Sequence, residues 1–126
     1  MTTSPRIDLD RLLGRLNAFN RVGALPGGGN CRLALSDEDR AGRDLLVRWM
    51  RDIGLTVTVD AIGNIIGTRG GREELAPVMF GSHIDTVGTG GRYDGLYGAG
   101  GPRNMRGTQS RAPSHAPATG ARRLHQ

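Results

Sequence analysis

The chain of 126 residues suits one domain of modest size, with 37% apolar and only 4% aromatic residues and 21 glycines, so its core is small and its stability margin narrow. The formal charge of +5 comes from 17 arginines, with no lysine, against 12 acids. Residues 1–98 hold 12 Arg and all 12 acids, and residues 99–126 hold 5 Arg and no acid, which excludes a basic binding face on the body.

At the N-terminus, MTTSPRIDLDRLLGRL breaks every apolar run with Asp or Arg, which excludes a signal-peptide core. No window reaches the length of an apolar membrane span, and the expected location is the cytoplasm. Leu9, Leu12, Leu13, Leu16 and Phe19 fall on one face of a first helix, with Asp8 as its N-cap. The loop RVGALPGGGNCRL follows. Its three glycines lack the Lys and Ser/Thr of a phosphate-binding loop, and no helix starts directly after them. Cys31 is the sole cysteine, so no internal disulfide is possible. Nothing around it indicates a stabilised thiolate, and it reads as inert rather than nucleophilic.

The run SDED opens a second helix, with Ser36 as N-cap and acids in the first turn, where the helix dipole favours them. Ala41, Leu45, Trp49 and Ile53 recur every four residues beside Leu46, predicting one buried stripe, and Gly54 fits a terminating position. LTVTVD alternates as a half-buried strand, and NIIGT after the Gly63 turn reads as its partner. Within APVMFGSHID, Val78, Met79 and Phe80 predict a short strand covered on both faces. This order fits the start of an α/β domain. Residues 99–126 contain no Val, Ile, Phe, Trp or Tyr and hold 3 of the 6 prolines, so disorder is expected there.

The strand ending at Gly81 would place Ser82, His83, Ile84 and Asp85 at its C-terminal end, the edge where open α/β sheets bind ligands. Alternate side chains point the same way, so His83 and Asp85 would share a side. His83 could bind a metal through one ring nitrogen, while Asp85 either takes the other nitrogen's proton or orients the ring from behind. Asp94 follows GTGGRY, a loop able to fold back over the strand end. Its carboxylate could bridge two cations, and a two-metal site can clamp a water and polarise a carbonyl. The same residues also read as a hydrogen-bonded pair capping a strand, with Asp94 as a helix N-cap.

GSHIDTV, then GGRYDG and Gly98, resembles the metal-binding signature of the hydantoinase/carbamoylase amidohydrolases. This is a branch of the M20 metallopeptidase-like clan that includes N-carbamoyl-L-amino acid hydrolases and allantoate amidohydrolases. Upstream, LALSDEDRAGRDLLVRWMRDIGLTVTVDAIGNIIGTRGG is similar to the segment those enzymes carry before the signature, and the resemblance covers about Arg11 to Gly98. It implies an α/β fold, the incomplete N-terminal portion of a di-metal M20-like catalytic domain over residues 1–98, followed by a non-homologous tail over 99–126. It also implies that His83 is a metal ligand, that Asp94 bridges two divalent ions (Zn²⁺, Mn²⁺ or Co²⁺), and that Asp85 is the catalytic acid orienting the site. The implied reaction is hydrolysis of a non-peptide C–N bond in a small N-carbamoyl or ureido compound, with N-carbamoyl-L-amino acids first and allantoate second.

The chain also departs from that family. Members continue past the Gly98 position with an apolar helix, an adjacent Glu pair, two more metal-binding His positions, substrate-binding residues and an inserted dimerisation domain. None of these follows here, and His115 and His125 lie in a tail that matches nothing in the family. A catalytic zinc needs about three protein ligands, and the body offers two, so this chain is expected to be inactive alone. The Arg/Ala/Pro/Gly-rich tail is what a shifted GC-rich reading frame yields, and a frameshift near codons 98 to 100 is the expected origin. The homodimer implied by the family would lack its dimerisation domain, and no nucleic-acid or membrane partner is expected. A reading of another class is a small non-catalytic protein whose five tail arginines give weak, salt-sensitive nucleic-acid association.

Overall fold

The structure is a computed structural model and describes residues 6–100 and 105–106. Strand β1 (Arg6–Ile7) leads into helix α1 (Leu9–Phe19), which starts where the sequence places it. Asp8 adopts an extended conformation and its carboxylate accepts the Arg11 N–H at 3.2 Å, satisfying one of the orphan donors of a helix start. Leu12, Leu16 and Phe19 are buried, but Leu9 and Leu13 are exposed. The expected apolar face is thus wider than the core it covers, and its outer half lines an open groove with Ile7, Tyr93 and Tyr97.

Helix α2 (Asp37–Asp52) is capped reciprocally. Ser36 Oγ accepts the Asp39 N–H at 3.1 Å, and Asp39 Oδ2 accepts the Leu35 N–H at 3.1 Å. Gly54, at φ +78°, follows the Ile53 cap as expected. The buried stripe is turned relative to its expected position: Ala41 is exposed, whereas Gly42 and Leu46 are buried. Close approach decides this, because a β-carbon at Gly42 would lie 2.8 Å from Arg32 Cδ and 3.3 Å from Phe19 Cζ. Trp49 packs against Phe19 with ring centroids 5.9 Å apart and tilted planes. Leu12, Leu16, Phe19, Leu46, Ile84 and Leu96 form the core. Full burial of such a side chain stabilises by about 1.5–3 kcal/mol.

Strands β2 (Thr56–Val59) and β3 (Ile65–Thr68) pair antiparallel, with Thr56 opposite Thr68 and Val59 opposite Ile65. This is the hairpin read from the alternation. Asp60 ties its turn: Oδ1 accepts the N–H groups of Ile62 (3.1 Å) and Asn64 (2.8 Å), and Oδ2 accepts the Asn64 side-chain amide at 2.8 Å. These bonds, led by that of the Asn64 side chain, hold the Asp60 carboxyl below its ordinary pKa.

The expected buried strand is not formed. Residues 76–87 carry no strand, and Val78, Met79 and Phe80 are exposed at 81%, 81% and 68%. A strand exists only where a neighbour completes its ladder, and among the described residues none pairs with this run. The sheets are instead two separate two-stranded pairs. Helix α3 (Leu96–Gly100) crosses the expected boundary at Gly98, and strand β4 (Met105–Arg106) pairs antiparallel with β1. The disorder expected for the rest of 99–126 lies outside the described residues.

Candidate metal centre

Burial alternates along His83, Ile84, Asp85 and Thr86: Ile84 and Thr86 are buried, His83 is exposed and Asp85 is half-buried. The extended segment therefore keeps the period of two without a ladder, and His83 and Asp85 do share a side. His83 Nδ1 lies 3.1 Å from the Asp85 carbonyl oxygen and 3.3 Å from its Oδ1. Both oxygens only accept, so the hydrogen bond requires the proton on Nδ1. In the neutral ring that leaves Nε2 with a lone pair, the form in which imidazole binds a metal.

Nε2 faces Asp94, whose Oδ2 is 4.0 Å away, and the two side chains are 54% and 74% exposed. With bonds of about 2.0–2.2 Å, an ion between these atoms would be held at a donor–metal–donor angle of roughly 135° or more, so a tetrahedral ion needs the two side chains to draw closer. The donor types, one imidazole nitrogen and one carboxylate oxygen, suit a divalent ion. Asp94 lies two residues before α3 (Leu96–Gly100), and its backbone carbonyl accepts the Leu96 N–H at 2.6 Å. Among the described residues, no group of three or more His, Cys, Asp or Glu is arranged to hold a metal. The three sequence-predicted residues are thus brought to one place, with the His83 ring between Asp85 and Asp94.

Gly95 follows Asp94 at φ +64°, where a β-carbon would lie 2.5 Å from His83 Cε1. Only glycine allows the ring to lie against the backbone here. Ser82 Oγ donates to the Gly95 carbonyl at 2.6 Å, closing the loop onto the strand-like segment.

Asn20, Asn30, Arg32 and Thr86 were not singled out by the sequence patterns, although all are buried beneath the site. Arg32 donates from Nε to the Ile84 carbonyl at 2.7 Å, between the two site residues. Burial pushes its pKa down, opposed by the charges of Asp39 and Asp85. The available signal was slight: one charge between apolar neighbours in CRL. Cys31 beside it is half-buried and unbonded to any other cysteine.

The chain matches no family model. It is 45% identical over 93 residues to an N-carbamoyl-L-amino-acid amidohydrolase from a Pseudomonas strain, which covers 73% of this chain and 22% of that one. An allantoate deiminase from Glycine max is 36% identical over 95 residues, covering 75% and 20%. A solved structure of an amidohydrolase/peptidase from Burkholderia cenocepacia superposes with a TM-score of 0.72 at 55% identity, over 75% of this chain and 24% of that one. A hydantoinase/carbamoylase-family amidase from Burkholderia multivorans gives 0.71 at 53% identity, over 74% and 23%. The fold is thus that of a fragment of the amidohydrolase/peptidase fold. Over about three quarters of its length the chain matches the N-terminal portion of hydantoinase/carbamoylase-family proteins, and it spans about a quarter of the length of these relatives.

Proposed function

We propose that this chain carries the N-terminal share of a metal-dependent hydrolytic site acting on the C–N bond of N-carbamoyl-L-amino acids. The observation that carries the reading is the His83 ring, held by Asp85 on the Nδ1 side and facing Asp94 on the Nε2 side. It lies within the family signature, and the relatives include a named N-carbamoyl-L-amino-acid amidohydrolase.

In this reading His83 and Asp94 would hold the metal, and Asp85 fixes the imidazole tautomer. A bound Zn²⁺, Mn²⁺ or Co²⁺ would supply an activated water and polarise the ureido carbonyl. Asp85 keeps the Nδ1 proton in place, and the Gly95 backbone holds the ring's face. Two ligand atoms fall short of the roughly three that a catalytic zinc needs, so the chain binds metal weakly and does not turn over alone.

Calorimetric titration with Mn²⁺, Co²⁺ and Zn²⁺, paired with ammonia release from N-carbamoyl-L-amino acids, tests this. Metal binding without ammonia release is the expected result; no binding of any of the three ions overturns the reading. Allantoate is the second substrate to assay, favoured by the likeness to an allantoate deiminase.

A further inference from the structure

With no strand ladder beneath the 83–86 segment among the described residues, something else must fix His83 and Asp85 in place. We propose that Asn20, Asn30 and Arg32 form a buried clasp that positions both halves of the metal centre; this rests on the function proposed above. All three are positioning residues, acting through the backbone of the segments that carry His83, Asp85 and Asp94.

Arg32 is 1% exposed and grips the first half at two points. Its Nε donates to the Ile84 carbonyl at 2.7 Å, and its backbone N–H donates to Thr86 Oγ1 at 2.7 Å. The Thr86 N–H returns a bond to the Arg32 carbonyl at 2.8 Å. These bonds lie on either side of Asp85, so they set the register in which His83 and Asp85 face outward. The guanidinium is itself anchored: Nη1 donates to the Val22 carbonyl (2.8 Å) and to Asn30 Oδ1 (2.7 Å), and its carbon lies 4.6 Å from the Phe19 ring centre.

Asn30 and Asn20 carry the same network to the second half. Asn30 exchanges both backbone bonds with Gly90, at 2.9 and 2.8 Å, and its side chain donates to the carbonyls of Asn20 (3.0 Å) and Val22 (2.8 Å). Asn20 Nδ2 then donates to the Arg92 carbonyl at 2.8 Å, two residues before Asp94. A purely structural filler would be cheaper as apolar side chains of the same volume, because a buried charge must recover its desolvation through its bonds. Here the bonds go to the backbone between His83 and Asp94, on either side of Asp85 and just before Asp94. A lysine could not reproduce this fork, which spreads donors in fixed directions.

The test uses the full chain and three variants: Arg32→Lys, Asn20→Ser, and Leu46→Val as a core control away from the clasp. Co²⁺ affinity is read by absorption, global stability by urea midpoint, and local opening by amide hydrogen exchange of Ile84, Thr86 and Arg92 without metal. The clasp predicts that R32K and N20S weaken Co²⁺ about 10–100-fold and speed exchange at these amides relative to L46V. It also predicts that L46V keeps wild-type affinity despite a lowered midpoint. Wild-type Co²⁺ affinity in R32K and N20S, or an equal loss in L46V, overturns the clasp. If the wild type binds no Co²⁺, the proposed function falls, and the exchange comparison decides by itself: equal exchange in all variants overturns the clasp, and selective acceleration upholds it.

Discussion

The backbone of Gly95 lies against the imidazole of His83, so closely that an added β-carbon would fall 2.5 Å from Cε1 and 2.6 Å from Nδ1. Gly95→Ala must therefore move the ring or the loop, and it also adds the left-handed backbone strain of a non-glycine residue, about 1–2 kcal/mol. The expected outcome is a lowered urea midpoint together with a shifted His83 Cε1 proton resonance. An unchanged resonance would mean that the ring and the loop do not touch in solution.

Removing the ligand atoms separates the roles of the three site residues. His83→Ala and Asp94→Ala are each expected to abolish measurable Zn²⁺ binding by calorimetry. Asp85→Asn is expected to keep binding but weaken it about 10–100-fold, as for a group that orients a ligand without touching the metal. Equal effects of all three substitutions would place Asp85 among the ligands.

The Asp60 turn gives the hairpin a pH dependence of known sign. The bonds from Asn64 and Ile62 depress the carboxyl pKa, so their stabilisation is fully present above the unfolded value of about 3.9. It is lost as pH falls through the lower folded value. The difference in urea midpoint between wild type and Asp60→Ala is expected to be constant near neutrality and to shrink below about pH 4. A difference that persists unchanged at pH 2 would show that the ionised form is not what ties the turn.

Val78, Met79 and Phe80 expose a contiguous apolar run, and such a surface drives association. Replacing Val78 and Phe80 with Lys is expected to reduce concentration-dependent light scattering while leaving the far-ultraviolet circular dichroism unchanged. Unaltered scattering would locate the sticky surface elsewhere, with the groove beside α1 the next place to test.

What was legible in the sequence was local. Asp8 and Ser36 cap helices with their own third neighbours, and the β2–β3 hairpin joins strands separated by one short turn, so a short window holds all the determinants. The outward sharing of His83 and Asp85 was legible for the same reason, since it needs only the period of two. The strand at Val78–Phe80 was misread because apolar character records a tendency to be covered, while the ladder that makes a strand must come from elsewhere in the chain. Arg32 was missed because its partners, Ile84 and Thr86, lie 52 and 54 positions away. Ala41 was placed inside because periodicity cannot show that a neighbouring glycine lets Arg32 and Phe19 come closer.

The long reach of the clasp bears on the order in which the chain assembles. Caps and hairpin close over a few residues, whereas the bonds from Arg32 to Ile84 and from Asn20 to Arg92 each close loops of 52 and 72 positions. Closing long loops costs entropy before any contact rewards it, and topology of this kind slows folding. On a ribosome the early helices and hairpin would be complete while His83 is still unmade, and the site around His83 would take shape only as residues 83–94 fold back onto residues 20–32.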